Sequence, residues 1–325
     1  MFPQSSTTLG LRRRAAKLDM QKLCVLVGLA VLCGLFSILT ENFFTGKNII
    51  NIALQTSVSA IVAIGETYVI AGGGIDLSVG SVAAFSGMSA AIMLNAGIPL
   101  WLAVLLAVAV GALLGLLNGI VIAVMGIAPF IATLGMNSII RGAVYVITDG
   151  VPVTGLPKSF SIIGGGRIGG WFPYAVLIMV AVAIVMAVIL KKSYFGRSIF
   201  AVGSNEQTAY LSGVNVVRSK IGMYVTCGIL SALAGVILTS RLVTAAPTAG
   251  DAYETDAIAA TVIGGASLAG GTGSILGTMI GAFIMGVLRN GLNLVGLNYF
   301  WQQIAIGLVI IVAVYIDVVR NKVKK

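Results

Sequence analysis

Histidine is absent from all 325 residues of the sequence, and this absence removes several kinds of catalytic site. Histidine is the most frequent general base in proteins and the commonest metal ligand. Without it, serine–histidine–aspartate triads, cysteine–histidine pairs and histidine-ligated zinc proteases are excluded. No convincing pair of acids replaces them, so a membrane-embedded enzyme is disfavoured and no catalytic residue is expected.

Charged residues are also scarce, at 9% of the sequence, whereas 58% of the residues are hydrophobic. Soluble domains carry about a quarter charged residues, and the mean hydropathy of +1.06 points the same way. The composition therefore predicts a protein of the lipid bilayer. The net charge of +10 does not indicate nucleic-acid binding, because the basic residues form no continuous face.

Motifs that bind metals or nucleotides are missing. The cysteines Cys24, Cys33 and Cys227 lie in apolar segments without CxxC spacing, so neither a disulfide framework nor a zinc site is predicted. No segment matches the GxxxxGK[ST] loop that cradles phosphates. The chain is expected to bind no metal and no cofactor, and to hydrolyse no ATP by itself.

Apolar runs long enough for a bilayer recur along the chain and predict an all-α, polytopic transmembrane bundle of about ten spans. They form one membrane domain over residues 23–316. The runs cover residues 23–39, 49–71, 79–94, 100–124, 128–147, 173–190, 221–240, 257–269, 275–296 and 300–316. Those at 79–94 and 257–269 are short and rich in glycine, so we expect them to be broken, tilted or re-entrant.

Basic residues predict the orientation of the bundle. They gather before the first span, between residues 191 and 220, and after residue 316. The positive-inside rule places all these clusters in the cytoplasm if an even number of spans separates them. We therefore predict cytoplasmic tails at residues 1–22 and 317–325 and a cytoplasmic loop at 191–220.

The stretch VIAGGGIDLSVGS, residues 69–81, interrupts the apolar sequence with glycines and an acid. Its flanks are membrane spans, so it lacks the context of a dinucleotide-binding turn. Glycines tolerate positive φ, and an acid or a serine caps helix amides. We predict a structural helix break at Gly72, Gly73, Gly74 and Asp76, in which Asp76 or Ser78 caps a helix beginning near Val79. A functional role for the Asp76 carboxylate stays open, because intramembrane acids are costly.

Polar side chains inside the spans have to face other helices or a watery path, because facing lipid is costly. Each is individually explained by contact between helices. Together with 42 glycines, they favour a packed bundle that conducts a neutral, hydroxyl-rich solute. The residues assigned to the pathway are Asn118, Asn137, Asn293 and Glu66. The sequence leaves open whether Glu66 pairs with a cation or is protonated.

Several segments of the chain resemble the membrane permease of ribose-type ABC sugar importers. These segments are ENFFTGKNIINIALQTSVSAIVAIGETYVI, GGGIDLSVGS, PFIATLGMNSIIRG, GRSIFAVGSNEQTAYLSGVNVVRSK, APTAGDAYETDAIAATVIGGASLAGGTGSILGT and NGLNLVGLN. The resemblance runs from about residue 40 to the end, and departs from the family pattern at Glu66 and Arg289. It implies a homodimeric permease that pairs with a fused double ATPase and receives sugar from a periplasmic binding protein. ATP and magnesium would then belong to the ATPase.

The segment NEQTAYLSG within the cytoplasmic loop predicts a short helix, with Asn205 as its cap and Gly213 as its stop. Read from the residues alone, it is either a solvated loop or a docking helix for a partner. The resemblance implies that residues 203–213 engage the ATPase. The residues assigned to this coupling are Gly203, Ser204, Asn205, Glu206, Leu211, Gly213 and Arg218.

The function expected from the sequence is import of a monosaccharide across the inner membrane, with ribose or a similar pentose or hexose as cargo. The resemblance leaves the cargo open. The alternative is a secondary transporter coupled to protons or sodium, in which Glu66 or Asp76 is the titrating group.

Overall fold

The structure, a computed structural model, describes residue 23 and residues 25–322. The expectations for residues 1–22, Cys24 and residues 323–325 lie outside it. The helices of the described chain are α1 (Val25–Leu39), α2 (Gly46–Ala71), α3 (Val79–Asn95), α4 (Leu100–Ala123), α5 (Pro129–Thr148), α6 (Lys158–Gly165), α7 (Tyr174–Lys192), α8 (Tyr194–Ser204), α9 (Glu206–Leu211), α10 (Val216–Leu242), α11 (Tyr253–Ile263), α12 (Ile275–Leu294) and α13 (Tyr299–Lys322). The strands β1 (Arg167–Ile168) and β2 (Phe172–Pro173) form an antiparallel pair.

Local sequence explains where many of these helices begin. A side-chain oxygen accepts a hydrogen bond from a backbone amide of the first turn in α2, α8, α9, α10 and α12. The capping residues are Thr45, Ser193, Asn205, Asn215 and Ser274. Helix α5 instead starts with Pro129, which needs no amide partner at that position.

Within the described residues, 7 helices are long and apolar enough to cross a membrane, namely α2, α4, α5, α7, α10, α12 and α13. The prediction of an all-α polytopic membrane protein is thereby confirmed. Helices α1 and α3 are apolar but shorter. The run at 257–269, predicted to be broken, tilted or re-entrant, is broken, because α11 ends at Ile263 and glycines with positive φ follow at 265, 270 and 271.

Helix α10 is the centre of the bundle. With 67% of its most apolar stretch buried, it is the most enclosed of the long apolar helices, and it packs on α2, α3 and α4. Glycines at the α4 contact bring the two backbones together. A β-carbon at Gly115 would overlap the backbone carbonyl of Tyr224, and one at Gly228 would overlap that of Gly111.

The segment at residues 191–220 is mostly helical, although the sequence suggests a loop with one short helix. It contains α8, α9 and the first turn of α10, which begins at Val216 rather than at the predicted residue 221. We call the end of the bundle formed by this segment the basic end. Capping by Ser193, Asn205 and Asn215 explains why helix forms where the apolar pattern has already stopped.

Residues 149–173 lie at the opposite end of α10 and carry α6 and the β1–β2 pair. Phe160 of α6 is fully buried, and its carbonyl accepts a hydrogen bond from the Ser240 hydroxyl near the end of α10. The same hydroxyl accepts a hydrogen bond from Gly164 N at 2.7 Å. These bonds fix the connection against the bundle. We call this side the opposite end.

Helix α13 continues past residue 317, where the cytoplasmic tail is predicted to begin, to Lys322, and the position of the membrane boundary stays a prediction. Asp317 is 6% exposed, and its carboxylate accepts a hydrogen bond from Leu268 N at 3.3 Å. The hydropathy of the sequence falls at residue 317, but the helix goes on because the connection between α11 and α12 covers this acid.

Candidate functional site

The short helix α9 presents apolar side chains at the surface of the basic end. Asn205 caps it by accepting a hydrogen bond from Thr208 N at 2.8 Å, and Gly213 follows it with φ of 82°. Tyr210 is 71% exposed and Leu211 is 78% exposed. An exposed aromatic and aliphatic pair on a capped helix is a surface suited to bind another protein.

The other residues assigned to coupling lie around α9. Glu206 pairs with Lys220 of α10 at 2.7 Å, which joins the two helices. Arg218 is exposed in the first turn of α10, where its amide donates to Asn215 Oδ1 at 2.9 Å. A shallow groove between α9 and α10 is lined by Tyr210, Leu211 and residues 213–218. The exposed side of this cluster is thus continuous from α9 to the start of α10.

Gly203 faces the membrane helices of its own chain. A β-carbon there would overlap the carbonyl oxygen of Ala71 and lie 2.7 Å from Gly271 N. Gly271 N in turn donates to Ala71 O at 2.9 Å, so the connections that follow α2 and α11 meet at this point. The end of α8 therefore contacts the break that follows α2 and the break that follows α11. A movement of α9, which comes directly after α8, would displace both breaks.

Two acids are buried where α2 breaks. Glu66 has no exposed surface and Asp76 is 2% exposed. The amide of Asp76 donates to Glu66 Oε1 at 3.1 Å, and Asp76 Oδ1 accepts from the amide and the hydroxyl of Ser78 at 2.8 and 2.6 Å. Asn118 donates to the Ser78 hydroxyl at 2.8 Å. These groups form a closed polar cluster in the core.

Capping of α3 differs from the expectation. Ser78 occupies the N-cap position, but its side chain makes no capping hydrogen bond. Its hydroxyl is already used by Asp76 and Asn118, and the Asp76 carboxylate binds Ser78 instead of the first amides of α3. The break itself runs from the end of α2 at Ala71 to the start of α3 at Val79.

The residues assigned to the pathway are not brought together. Glu66 and Asn118 belong to the buried cluster around Asp76. Asn137 is half-buried on α5 and Asn293 is exposed on α12. In the part of the chain that the structure describes, no side-chain hydrogen bond links Asn137 or Asn293 to that cluster.

A polar cavity lies toward the opposite end, among α2, α10, α11 and α12. Its volume is about 190 Å³, far above the ~15 Å³ that a single water needs. We call it the polar chamber. Its lining residues are Gln55, Thr56, Ser59, Arg241, Asp251, Tyr253, Asp256, Met285, Gly286 and Arg289.

The charged groups of the polar chamber are fixed by contacts. Arg289 Nη2 pairs with Asp256 Oδ1 at 2.8 Å, and Arg241 donates to Leu54 O at 3.2 Å. Arg141 of α5 holds the loop that closes this side, because it donates to Pro247 O at 2.7 Å and pairs with Asp251 at 2.9 Å. Positioned charges of both signs therefore surround the cavity.

Sequence reasoning did not assemble the polar chamber. Gln55 and Arg289 are polar residues inside predicted spans, whereas Tyr253 and Asp256 lie just before the run predicted at 257–269. The signal that could have located them is the run DAYETDAIAA, in which polar residues lead directly into a short apolar helix. Helix α11 packs against α2 and α12, and no local sequence pattern predicts these tertiary contacts.

Comparison with known proteins is consistent with this architecture. Residues 48–314 match the family model described as branched-chain amino acid transport system / permease component. The ribose import permease protein of Bacillus subtilis strain 168 is 46% identical over 301 residues, which cover 92% of this chain and 93% of the relative. That of Escherichia coli K12 is 44% identical over 316 residues, covering 96% and 98%.

A third relative, the D-allose transport system permease protein of Escherichia coli K12, is 38% identical over 296 residues, covering 90% of each chain. No solved structure matches the chain significantly. The bundle and the similarity together define a multi-pass permease of the inner membrane. The chain belongs to the branched-chain amino acid transport system permease component family, and its resemblance to ribose-type ABC permeases is confirmed.

Proposed function

We propose that this chain is the membrane permease subunit of an ABC importer that carries a monosaccharide, with ribose or a similar pentose or hexose as cargo. The observation that carries the proposal is the similarity to ribose import permeases, which covers at least nine-tenths of this chain and of each relative. The relatives named for allose and arabinose are less similar, at 38% and 39% identity. The relatives named for ribose, allose and arabinose do not support the ion-coupled transporter, and it is not retained.

The chain is proposed to cross the membrane about ten times, with the basic end and both termini in the cytoplasm. A fused double ATPase would dock on α9 and the start of α10, where Tyr210 and Leu211 are exposed. ATP and magnesium would be bound by that partner. Gly203 would pass the movement of α9 to the breaks after α2 and α11, and a periplasmic binding protein would deliver the sugar at the opposite end.

Two copies of the chain are proposed to form the functional permease. Gln55 on α2 and Asn293 on α12 are exposed on helices that are long and apolar enough to cross the membrane. Exposure of such groups to lipid is costly, whereas a partner subunit or a watery path between subunits would accommodate them. A face shared by α2 and α12 is therefore the proposed contact across the two-fold axis.

The proposal is tested by reconstituting the purified chain in liposomes with and without the ATPase and the sugar-binding protein. We expect radiolabelled D-ribose to accumulate only when both partners and ATP are present, and to do so without an ion gradient. Accumulation by the chain alone, or loss of uptake when a proton or sodium gradient is dissipated while ATP remains, would contradict the proposal.

A further inference from the structure

The polar chamber carries charged groups of both signs, and its wall is buried only in part: Thr56 and Asp256 are buried, whereas Gln55 and Asp251 are exposed. Its basic residues are Arg241 and Arg289, and its acidic residues are Asp251 and Asp256. Asp256 pairs with Arg289 and Asp251 pairs with Arg141, so both acids of the chamber are neutralised by ion pairs. Polar groups of both donor and acceptor character around a neutral interior suit a neutral solute rich in hydroxyl groups.

Two hydrogen-bonding atoms of the chamber residues have no partner in the described chain. Thr56 is 1% exposed and its hydroxyl is unbonded, and Nε of Arg289 is unbonded as well. Buried polar groups are normally satisfied, so such atoms indicate a missing ligand or water. The Thr56 hydroxyl lies against Gly286, where a β-carbon would overlap it. The absence of a side chain at Gly286 thus makes room for the Thr56 hydroxyl, which makes no hydrogen bond there.

We propose that the polar chamber is a binding site for one monosaccharide on its way through the permease. This inference rests on the proposed function, because it assigns the sugar cargo to these residues. The Thr56 hydroxyl and the Arg289 guanidinium would bind sugar hydroxyls. Tyr253, which lines the chamber and is half-buried, would offer its ring to the C–H groups of the sugar.

The position of the chamber connects it to the basic end. Helices α2, α11 and α12 wall the chamber, and the same helices adjoin the breaks that meet at Gly203. If α2 and the α11–α12 connection moved apart at Gly203, the helices α2, α11 and α12 would also move relative to one another at the chamber. The width of the chamber would therefore change. This arrangement ties occupancy of the chamber to the surface on which the ATPase is proposed to dock.

The test uses Thr56→Val in the complete importer, reconstituted with its ATPase and sugar-binding protein. Valine keeps the shape of threonine and removes the hydroxyl. We expect the KM for D-ribose uptake to rise about fivefold to tenfold, as for loss of one hydrogen bond, and the relative rates for D-ribose, D-allose and L-arabinose to change. Thr56→Ser keeps the hydroxyl and should restore KM to near the unmodified value.

Ser86→Ala is the matched control, because Ser86 is also fully buried with an unbonded hydroxyl but does not line the chamber. Both Thr56→Val and Ser86→Ala should keep ATP hydrolysis stimulated by the binding protein, which shows that the partners still dock. A purely structural defect would lower uptake of all three sugars equally and would leave their ratios unchanged.

The outcomes separate this inference from the proposed function. If the unmodified importer accumulates a sugar and Thr56→Val matches Ser86→Ala in KM and in sugar ratios, the chamber holds water only and the inference is overturned while the proposed function stands. If the unmodified importer accumulates none of the three sugars, the proposed function fails and this inference fails with it.

A second variant, Gly286→Ala, tests the same site by filling it. Its β-carbon would overlap the Thr56 hydroxyl, and the displaced side chain would enter the chamber. We expect the uptake rate to fall about tenfold or more at saturating D-ribose, as expected when a well-filled space receives an extra methyl group. The control is Gly142→Ala on α5, whose β-carbon would meet nothing within 4 Å. Equal uptake by the two variants would count against the site.

Discussion

Gly203 is the residue at which the absence of a side chain matters most for coupling. Replacement by alanine would force a methyl group against the backbone of Ala71 and Gly271, and backbone atoms cannot rotate away as a side-chain tip can. We expect Gly203→Ala to lower the free energy of unfolding by about 1–3 kcal/mol. It should also reduce sugar uptake more strongly than ATP hydrolysis, because α9 is displaced relative to the helix breaks.

Thermal unfolding in detergent and the ratio of sugar transported to ATP hydrolysed measure these effects. Gly135→Ala on α5 is the control, since a β-carbon there would meet nothing within 4 Å. An unchanged transport ratio in Gly203→Ala would show that this contact does not link the coupling surface to the bundle.

Glu66 allows a test of whether an intramembrane charge is needed. Its Oε1 accepts the amide of Asp76 at 3.1 Å, and no basic side chain bonds to either acid in the described residues. Glutamine at this position keeps a carbonyl acceptor and removes a buried ionisable group. We expect Glu66→Gln to retain uptake and thermal stability, whereas Glu66→Leu loses the acceptor and about 1–3 kcal/mol of stability.

Uptake and thermal unfolding of both variants, compared with the unmodified chain, provide the measurement. Abolished uptake in a stable Glu66→Gln protein would mean that the carboxyl group itself takes part in transport. That result would reopen the ion-coupled mechanism.

For single residues, the sequence indicates which polar side chains avoid lipid better than it indicates which groups they contact. The cost of polar groups in lipid correctly drew attention to Glu66 and Asn118, which are buried and bonded. It could not tell which groups satisfy one another, because their partners are distant in the sequence. Asn290, for example, exchanges hydrogen bonds of 2.9 Å with Asn48 across 242 positions.

Helix α9 is the element on which the proposed docking depends. Tyr210 and Leu211 are mostly exposed and contribute little to the packing of the permease itself. We expect Tyr210→Ala combined with Leu211→Ala to leave thermal stability of the isolated permease unchanged. Binding of the ATPase should weaken about tenfold or more, as for other exposed aromatic and aliphatic anchors.

Co-purification of the ATPase and titration of its binding measure the loss. The matched control is Lys220→Ala, which removes the pair between the half-buried lysine and the exposed Glu206 and should cost about 1 kcal/mol or less. Undiminished binding to the double variant would place the docking surface elsewhere.

At the scale of elements, the hydrophobic pattern predicts most helices well and their ends less well. Asn205 and Gly213 bound α9 as their chemistry indicates, since one caps and the other has positive φ. The pattern fails where helices extend into polar surroundings, as in α8 and the end of α13, whereas the break after Ile263 agrees with the glycine content of that run. Hydropathy measures contact with lipid, and helix formation does not require that contact.

The whole permease is proposed to be a dimer, and cross-linking tests the face involved. In a variant without native cysteines, we expect Asn293→Cys to form a covalent dimer with a short bis-maleimide, because the proposed two-fold axis passes near α2 and α12. Ile311→Cys on α13 is the control, since this side chain is 67% exposed on an apolar helix suited to face lipid. Cross-linking at residue 311 with none at residue 293 would assign the interface to another face.

For the whole molecule, the composition and the recurring apolar runs predict that the protein lies in the lipid bilayer and is built of helices. A chain with 9% charged residues and recurring apolar runs has few soluble alternatives. The position of the polar chamber could not be predicted, because it depends on how α2, α10, α11 and α12 pack together, and the sequence of α11 has no signal of a full span.

The central place of α10 has a consequence for biogenesis. Helices α2, α3 and α4 leave the ribosome well before α10, yet α10 supplies much of the surface on which they pack. Until residue 242 has been inserted, the early helices expose their close-packing glycines to lipid or to the insertion machinery. A nascent chain that stalls before α10 would consequently be a substrate for membrane quality control rather than a smaller stable domain.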